Sequence, residues 1–356
     1  MDTSSITGLD RLEDHLTAIL KDPETHLDEN LIDKVQLQLT AEEVLSTVAA
    51  KLLPLLTKIL PSYPHNPKYL IELSTKLLRP AQFTEILNFV SVEDLLTALE
   101  SKFPSAVLLG ISAISKASWA PSHTAILSTL KPIVHAFIRT WLSSPDVEVG
   151  EAATRTLGDL LEMDCDCRKE PSADLLSRIR NPYTSMDVPS GQGLLWRRIF
   201  QDQDIYFLLY TLCTTNTEES EKNHEDKRQK SLAQGRLLRL LPRLATLNFQ
   251  IISCSQCPVV EQSRGIRPEG ILSFAATEMV NKKDLLMHIT LIIFFGELLS
   301  LMSKLTLSPS TLDVLGALVN RVASEDISLK ESLKATASAS ETSPELVDLL
   351  SKLAIV

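Results

Sequence analysis

An all-α helical-repeat solenoid is the fold this sequence predicts, and three observations predict it. Of 356 residues, 44% are hydrophobic, only 11 are glycine and aromatics make up 5%. That mixture suits helices better than sheets. The strong apolar patterns recur at three- and four-residue spacing, and none keeps up a period of two. One helical motif returns at an offset of 40 residues.

The motif is clearest from Ser144 to Leu161. Pro145 and Asp146 start a helix in which Val149, Ala153, Leu157 and Leu160 recur on one face. Ala152, Ala153 and Gly158 are small, which lets another backbone approach. Glu148, Glu151, Arg155 and Asp159 form the opposite stripe. The pattern looks like the second helix of a HEAT or armadillo repeat, a helix that neighbouring hairpins must bury. Residues 105–118 echo it: Leu109-Gly110 aligns with Val149-Gly150, Ala113 with Ala153 and Ala117 with Leu157. The offset is within the period of about 40 to 47 residues of such repeats. Pro54, Pro132 and Pro242 each interrupt an apolar helical segment. A proline costs about 3 kcal/mol inside a helix, so three of them suggest tolerated bends in first helices of hairpins.

In chain order, Ile6, Leu9, Leu12, Leu16 and Ile19 define a helix that stops at Asp22-Pro23, and a second runs from Leu27 to Leu39. Thr40 to Glu43 has the form of a capping box for a helix reaching Leu53, kinked or broken at Pro54. Helices are expected at 68–79 and 81–89, after the Ser91 cap, and from His123 to Leu142 as partner of 147–162. Residues 163–193 carry turn chemistry with one short helix near 172–180. Helix returns in two pieces, broken around Gln201-Asp202, between Leu194 and Cys213. The stretch 214–230 has no apolar residue and reads as a mobile loop. Further helices follow at Ser231–Leu247, Pro268–Val280, Asp284–Met302, Ser308–Val322 and Ser343–Leu353. The organisation expected is one array over 1–356. It has N-terminal repeats over 1–162, an irregular connection over 163–193 and C-terminal repeats over 194–356, eight or nine hairpins in all.

Net charge is −10, which argues against direct nucleic-acid binding, since that needs a basic face. The first fifty residues hold eleven acidic side chains against three basic, a net of −8. They read as a solvated cap or as a surface for a basic partner. No signal-like segment is visible at the N-terminus, and five cysteines fit a reducing interior. A cytoplasmic and nuclear location is expected. The apolar stretch Leu285–Met302 contains His288 and Glu297 and reads as a buried core helix, with no membrane role.

Chemistry is sparse. Cys165-x-Cys167 and Cys254-x-x-Cys257 are metal-like pairs, but a zinc site needs four ligands together and these lie far apart in sequence. Free thiols are expected, and no metal. His288 reads as a core or groove residue. Gly191-x-Gly193 lacks the third glycine and the preceding strand of a dinucleotide loop, and no phosphate loop or nucleophile elbow occurs. No catalytic residue, cofactor or small-molecule substrate is expected. Trp196 with Arg197 and Arg198 reads as a hairpin plug with snorkelling arginines, or as an interface anchor. Arg236, Arg239 and Arg243, near Arg228 and Lys230, read as a solvated face or as a site for an acidic partner loop.

Three regions together resemble a known family: Gly191–Phe200 with Asp204–Tyr206, Lys230–Leu244, and Phe274–Val280 with Asp284–Ile289. They are similar to the fungal Hsm-type proteins, relatives of animal proteasome non-ATPase regulatory subunit five. The likeness covers about 100–305, with the acidic N-terminus only generally similar. It implies a non-catalytic chaperone for assembly of the 26S proteasome regulatory particle, binding the C-terminal domain of an ATPase subunit of the base. The family's fungal members also carry a DNA mismatch-repair label, so a repair accessory role is the alternative, and a generic repeat scaffold the second. No binding residue is transferred by the resemblance. In HEAT arrays second helices line the concave wall, so Glu148, Glu151, Arg155 and Asp159 are the expected partner contacts.

Overall fold

A computed structural model describes residues 6–40, 42–60, 63–65, 67–167, 189–214, 224–338 and 343–353. The expected short helix near 172–180, most of the 163–193 connection, the 215–223 part of the expected loop and the Thr40–Glu43 capping box lie outside what is described. Among the described residues every regular element is helical.

The described residues up to Thr140, with Pro189, form one compact unit, and the others from Trp141 onward form a second. The first unit contains α1 (Leu9–Lys21), α2 (Glu29–Gln38), α3 (Glu42–Ile59), α4 (Lys68–Leu77), α5 (Phe83–Phe89), α6 (Val92–Leu99), α7 (Pro104–Ser115), a 3-10 turn at Lys116–Trp119, α8 (Pro121–Thr129) and most of α9 (Lys131–Ser143). α1 packs on α2 and α3, α4 on α2 and α3, and α7 on α4, α5 and α6. Contacts between near neighbours in the chain are the pattern of stacked repeats. Leu12, Leu16, Ile32, Val48, Leu52, Leu70 and Phe83 are fully buried, each stabilising by roughly 1.5–3 kcal/mol.

Pro54 is absorbed inside α3, whereas the helix expected over 123–142 is two. Leu130 leaves helical geometry at ψ 64° and Lys131-Pro132 opens α9. Proline fits a helix's first turn, where its missing N–H has no partner to lose.

The second unit holds α10 (Val147–Asp164), α11 (Leu194–Phe200), α12 (Gln203–Cys213), α13 (His224–Ser253), α14 (Pro258–Ser263), α15 (Ile271–Thr277), α16 (Leu285–Met302), α17 (Pro309–Glu325), α18 (Ile327–Ser338) and α19 (Pro344–Lys352). α13 is the hub: α10, α12, α15, α16 and α17 all pack on it. Trp141, Trp196, Tyr206, Phe274, Phe294 and Phe295 fill the core.

Three expectations need correcting. The units divide within α9, not after residue 162. The Trp141 indole donates to Thr154 Oγ1 at 2.8 Å, and Arg236 donates to the Trp141 and Asp146 carbonyls at 2.8 and 2.9 Å. These bonds tie the end of α9 and all of α10 to α13. The expected loop 214–230 is helical from His224, where Gln229 Nε2 donates to the Leu142 carbonyl at 2.9 Å. A polar face suffices there because tertiary bonds replace apolar burial. α18 has no counterpart in the sequence reading, because only Leu329 and Leu333 of it are buried.

Candidate functional site

Asp146 caps α10: its side chain accepts the Val149 N–H at 2.9 Å, as expected from Pro145-Asp146. The face carrying Val149, Ala153, Leu157 and Leu160 is buried. The opposite stripe is divided in its fate. Glu148 and Arg155 are exposed and have no ion-pair partner among the described residues. Glu151 pairs with Arg239. Asp159 is only 7% exposed and binds Arg243 Nη2 at 2.9 Å, which Glu162 also binds at 2.6 Å. The four expected contacts therefore do not share one free surface, and Asp159 is committed internally.

The basic stripe is the other half of that arrangement. Arg236, Arg239 and Arg243 of α13 meet successive turns of α10, so part of each charged stripe is joined in a seam between helices running the same way, exposed at Arg239–Glu151 and largely buried where Arg243 meets Asp159 and Glu162. Burial pulls the Arg236 guanidinium below its usual range, with Glu151 and Asp146 opposing. Burial also acts to lower Arg243, but the hydrogen bonds it donates to Glu162 and Asp159 outweigh it and hold it raised. Gly158, expected to let another backbone approach, has a different purpose, which Gly150 shares. A Cβ at Gly150 would fall 2.2 Å from Arg236 Nε, and one at Gly158 would fall 2.3 Å from Arg243 Nη1. The glycines admit guanidinium groups, not a backbone.

The Gly191-to-Trp196 segment is a joint. Gly191 N–H donates to the Cys165 carbonyl at 3.0 Å and Gly193 N–H to the Asp164 carbonyl at 2.8 Å. Gly193 is left-handed at φ 65°, and a Cβ at Gly191 would meet the Asp164 backbone at 2.0 Å. Asp164 Oδ2 accepts the Leu195 and Trp196 N–H groups at 2.6 and 3.0 Å. Trp196 is 1% exposed and donates to the Leu161 carbonyl at 2.8 Å. It is the plug, while Arg198 pairs with Asp202 at 2.8 Å.

His288 Nε2 contacts Asp326 Oδ2 at 2.7 Å, joining α16 to the start of α18. All five cysteines are free, and burial pushes the Cys213 thiol up to about 12. Among the described residues no three His, Cys, Asp or Glu side chains group as metal ligands.

What the sequence reading missed is an open groove beside the seam. α10, α13 and α16 form one layer, and between them lies a cavity of about 540 Å³. Val147, Leu232, Leu286 and Ile293 supply apolar walls, and Arg228 and Glu297 stand on the rim. Neither rim charge has an ion-pair partner among the described residues. Gly235 also lines it, with nothing within 4 Å of where a Cβ would sit. α16 is long and apolar enough to cross a membrane by length and composition. It is not wholly buried as expected: Met287, Leu291, Phe294, Phe295 and Leu298 point inward, but Leu285, Leu286, Ile289 and Ile293 are 45–72% exposed. Uniform hydrophobicity around the helix concealed which face would stay open.

A second cavity, about 370 Å³, lies in the first unit between α3, α4, α6 and α7, lined by Leu53, Leu78, Leu95, Phe103 and Leu109. Two of the polar groups lining it are engaged within their own helices' turns: Ser74 donates to the Leu70 carbonyl and Asp94 accepts from Ser91.

Residues 8–140 match the family model described as DNA mismatch repair protein HSM3, N terminal domain. The match covers the region that the sequence reading found only generally similar, and the segments over 191–289 lie outside it. No curated protein matches the chain. Among solved structures, an engineered protein aligns at 13% identity with a TM-score of 0.46, over 96% of this chain and 67% of that one. A designed armadillo repeat protein aligns at 10% identity with a TM-score of 0.37, over 85% and 98%. At those scores neither bears on the fold, which rests on the helix packing described above.

Proposed function

We propose, from the premise that this chain belongs to the HSM3-type family through its N-terminal domain, that it is a non-catalytic scaffold in assembly of the 26S proteasome regulatory particle. In this reading it holds the C-terminal domain of an ATPase subunit of the base. The observation carrying the proposal is the groove of the α10–α13–α16 layer, whose apolar walls are open and whose rim charges are unspent. Exposed contiguous apolar surface with a polar rim is the mark of a protein-binding site. Glu148 and Arg155 remain exposed on α10, the helix that also supplies Val147 and Glu151 to the groove.

The test is calorimetric titration of the full chain with the isolated C-terminal domain of each base ATPase subunit. One domain is expected to bind, and Ile293→Lys is expected to weaken it at least about tenfold, as for loss of a central apolar anchor. Absence of binding to every such domain overturns the proposal. Reversing Glu148 and Arg155 tests the α10 edge separately.

The family description also names DNA mismatch repair, which favours a second reading as a repair accessory. With a net charge of −10, that role is through repair proteins and not the duplex. Duplex affinity that falls steeply with salt would reverse this preference.

A further inference from the structure

The exposed stripe of α16 has an internal symmetry. Lys283 stands just before the helix and Glu297 near its C-terminal end, both exposed and both without an ion-pair partner among the described residues. Between them Leu285, Leu286, Ile289 and Ile293 form the open apolar stripe. The midpoints of Lys283 with Glu297 and of Leu286 with Ile293 both fall within about one residue of Ile289. Turned end for end about a point between Ile289 and Thr290, the stripe sets opposite charges against each other and apolar side chains against each other.

We propose that α16 is a self-association surface, on which a second copy of this chain docks antiparallel, with Ile289 beside the two-fold axis. Ile293 of one copy packs on Leu286 of the other, and Glu297 reaches Lys283. Such an isologous contact closes at two chains. Helix axes about 8–10 Å apart bring these side chains together. Four side chains on one helix cover less than the roughly 800 Å² per partner of a standard stable interface. The dimer is accordingly a weak, concentration-dependent one. Leu286, Ile293 and Glu297 also wall the groove, so a copy seated here and a protein seated there exclude each other. The pairing itself does not depend on who that other partner is.

Sedimentation velocity of the full chain across a concentration series tests this. The weight-average mass is expected to rise from one chain toward two. Ile293→Lys is expected to hold it at one chain. Glu297→Lys and Lys283→Glu each replace two attractions per dimer with two repulsions, and are expected to weaken association about tenfold. Combining them restores both attractions and should recover the dimer. A parent protein that stays at one chain throughout overturns the proposal, as does an Ile293→Lys variant that dimerises like the parent. A double charge variant no better than either single does the same. Retained ATPase-domain binding by the Lys283→Glu variant, whose site lies outside the groove lining, separates this outcome from failure of the scaffold reading.

Discussion

Asp164 is fully buried, and one of its oxygens, Oδ1, has no hydrogen-bond partner. Burial raises its pKa, with the Trp196, Leu195 and Leu194 N–H groups opposing. A carboxyl raised on folding contributes stability that is present below its unfolded value, near 4, and lost as pH rises through the folded value. Asp164→Asn can keep an oxygen facing Leu195 and Trp196 while removing the charge. The variant is expected to lose less stability than the parent as pH rises above about 4, measured by urea unfolding at a series of pH values.

Gly158 and Arg243 give a second prediction at this scale. Removing Arg243 takes a guanidinium partner from both Asp159 and Glu162, which are 7% and 3% exposed. Arg243→Ala is expected to cost about 3 kcal/mol. Gly158→Ala forces the guanidinium aside and is expected to cost roughly 1–3 kcal/mol. On the Arg243→Ala background the same glycine change should cost nothing, because its cost is the collision. A double-mutant cycle in denaturant reads the difference.

Among the elements, α10 depends on its ends as well as its seam. Asp146 supplies both the cap for Val149 and, through its carbonyl, a bond to Arg236. Asp146→Ala keeps the carbonyl and removes the cap, so a loss of about 1 kcal/mol is expected, with the midpoint of unfolding shifted and its slope unchanged. The joint of α16 with α18 behaves oppositely to Asp164 in pH. Burial of Asp326 acts to raise its pKa, but the Leu329 N–H and His288 outweigh it and hold it below the usual carboxylate range. That contribution is present above the unfolded value and lost as pH falls through the folded one. Asp326→Asn should therefore flatten the acid limb of the stability profile below about pH 4.

Across the whole molecule, two compact units imply more than one cooperative transition, as in repeat proteins whose segments interact with near neighbours only. Arg243→Ala is expected to lower amide-exchange protection through α10–α17 while α1–α7 keep theirs. Uniform loss over both units in mass-spectrometric exchange would show a single cooperative block instead.

The all-helical class and most helix positions were legible in the sequence, because periodicity, caps such as Asp146 and breakers such as Pro132 act within a few residues of themselves. The fate of the charged stripes was not legible. Whether Asp159 faces solvent depends on Arg243, 84 residues away, and a stripe of charge has the same spacing on a free face as in a seam. The open side of α16 was likewise undetermined locally, since a helix that is apolar all round carries no mark of which side its neighbours cover. Local chemistry determined the helices, and only tertiary packing decided which of their faces were consumed inside the fold and which were left to meet another chain.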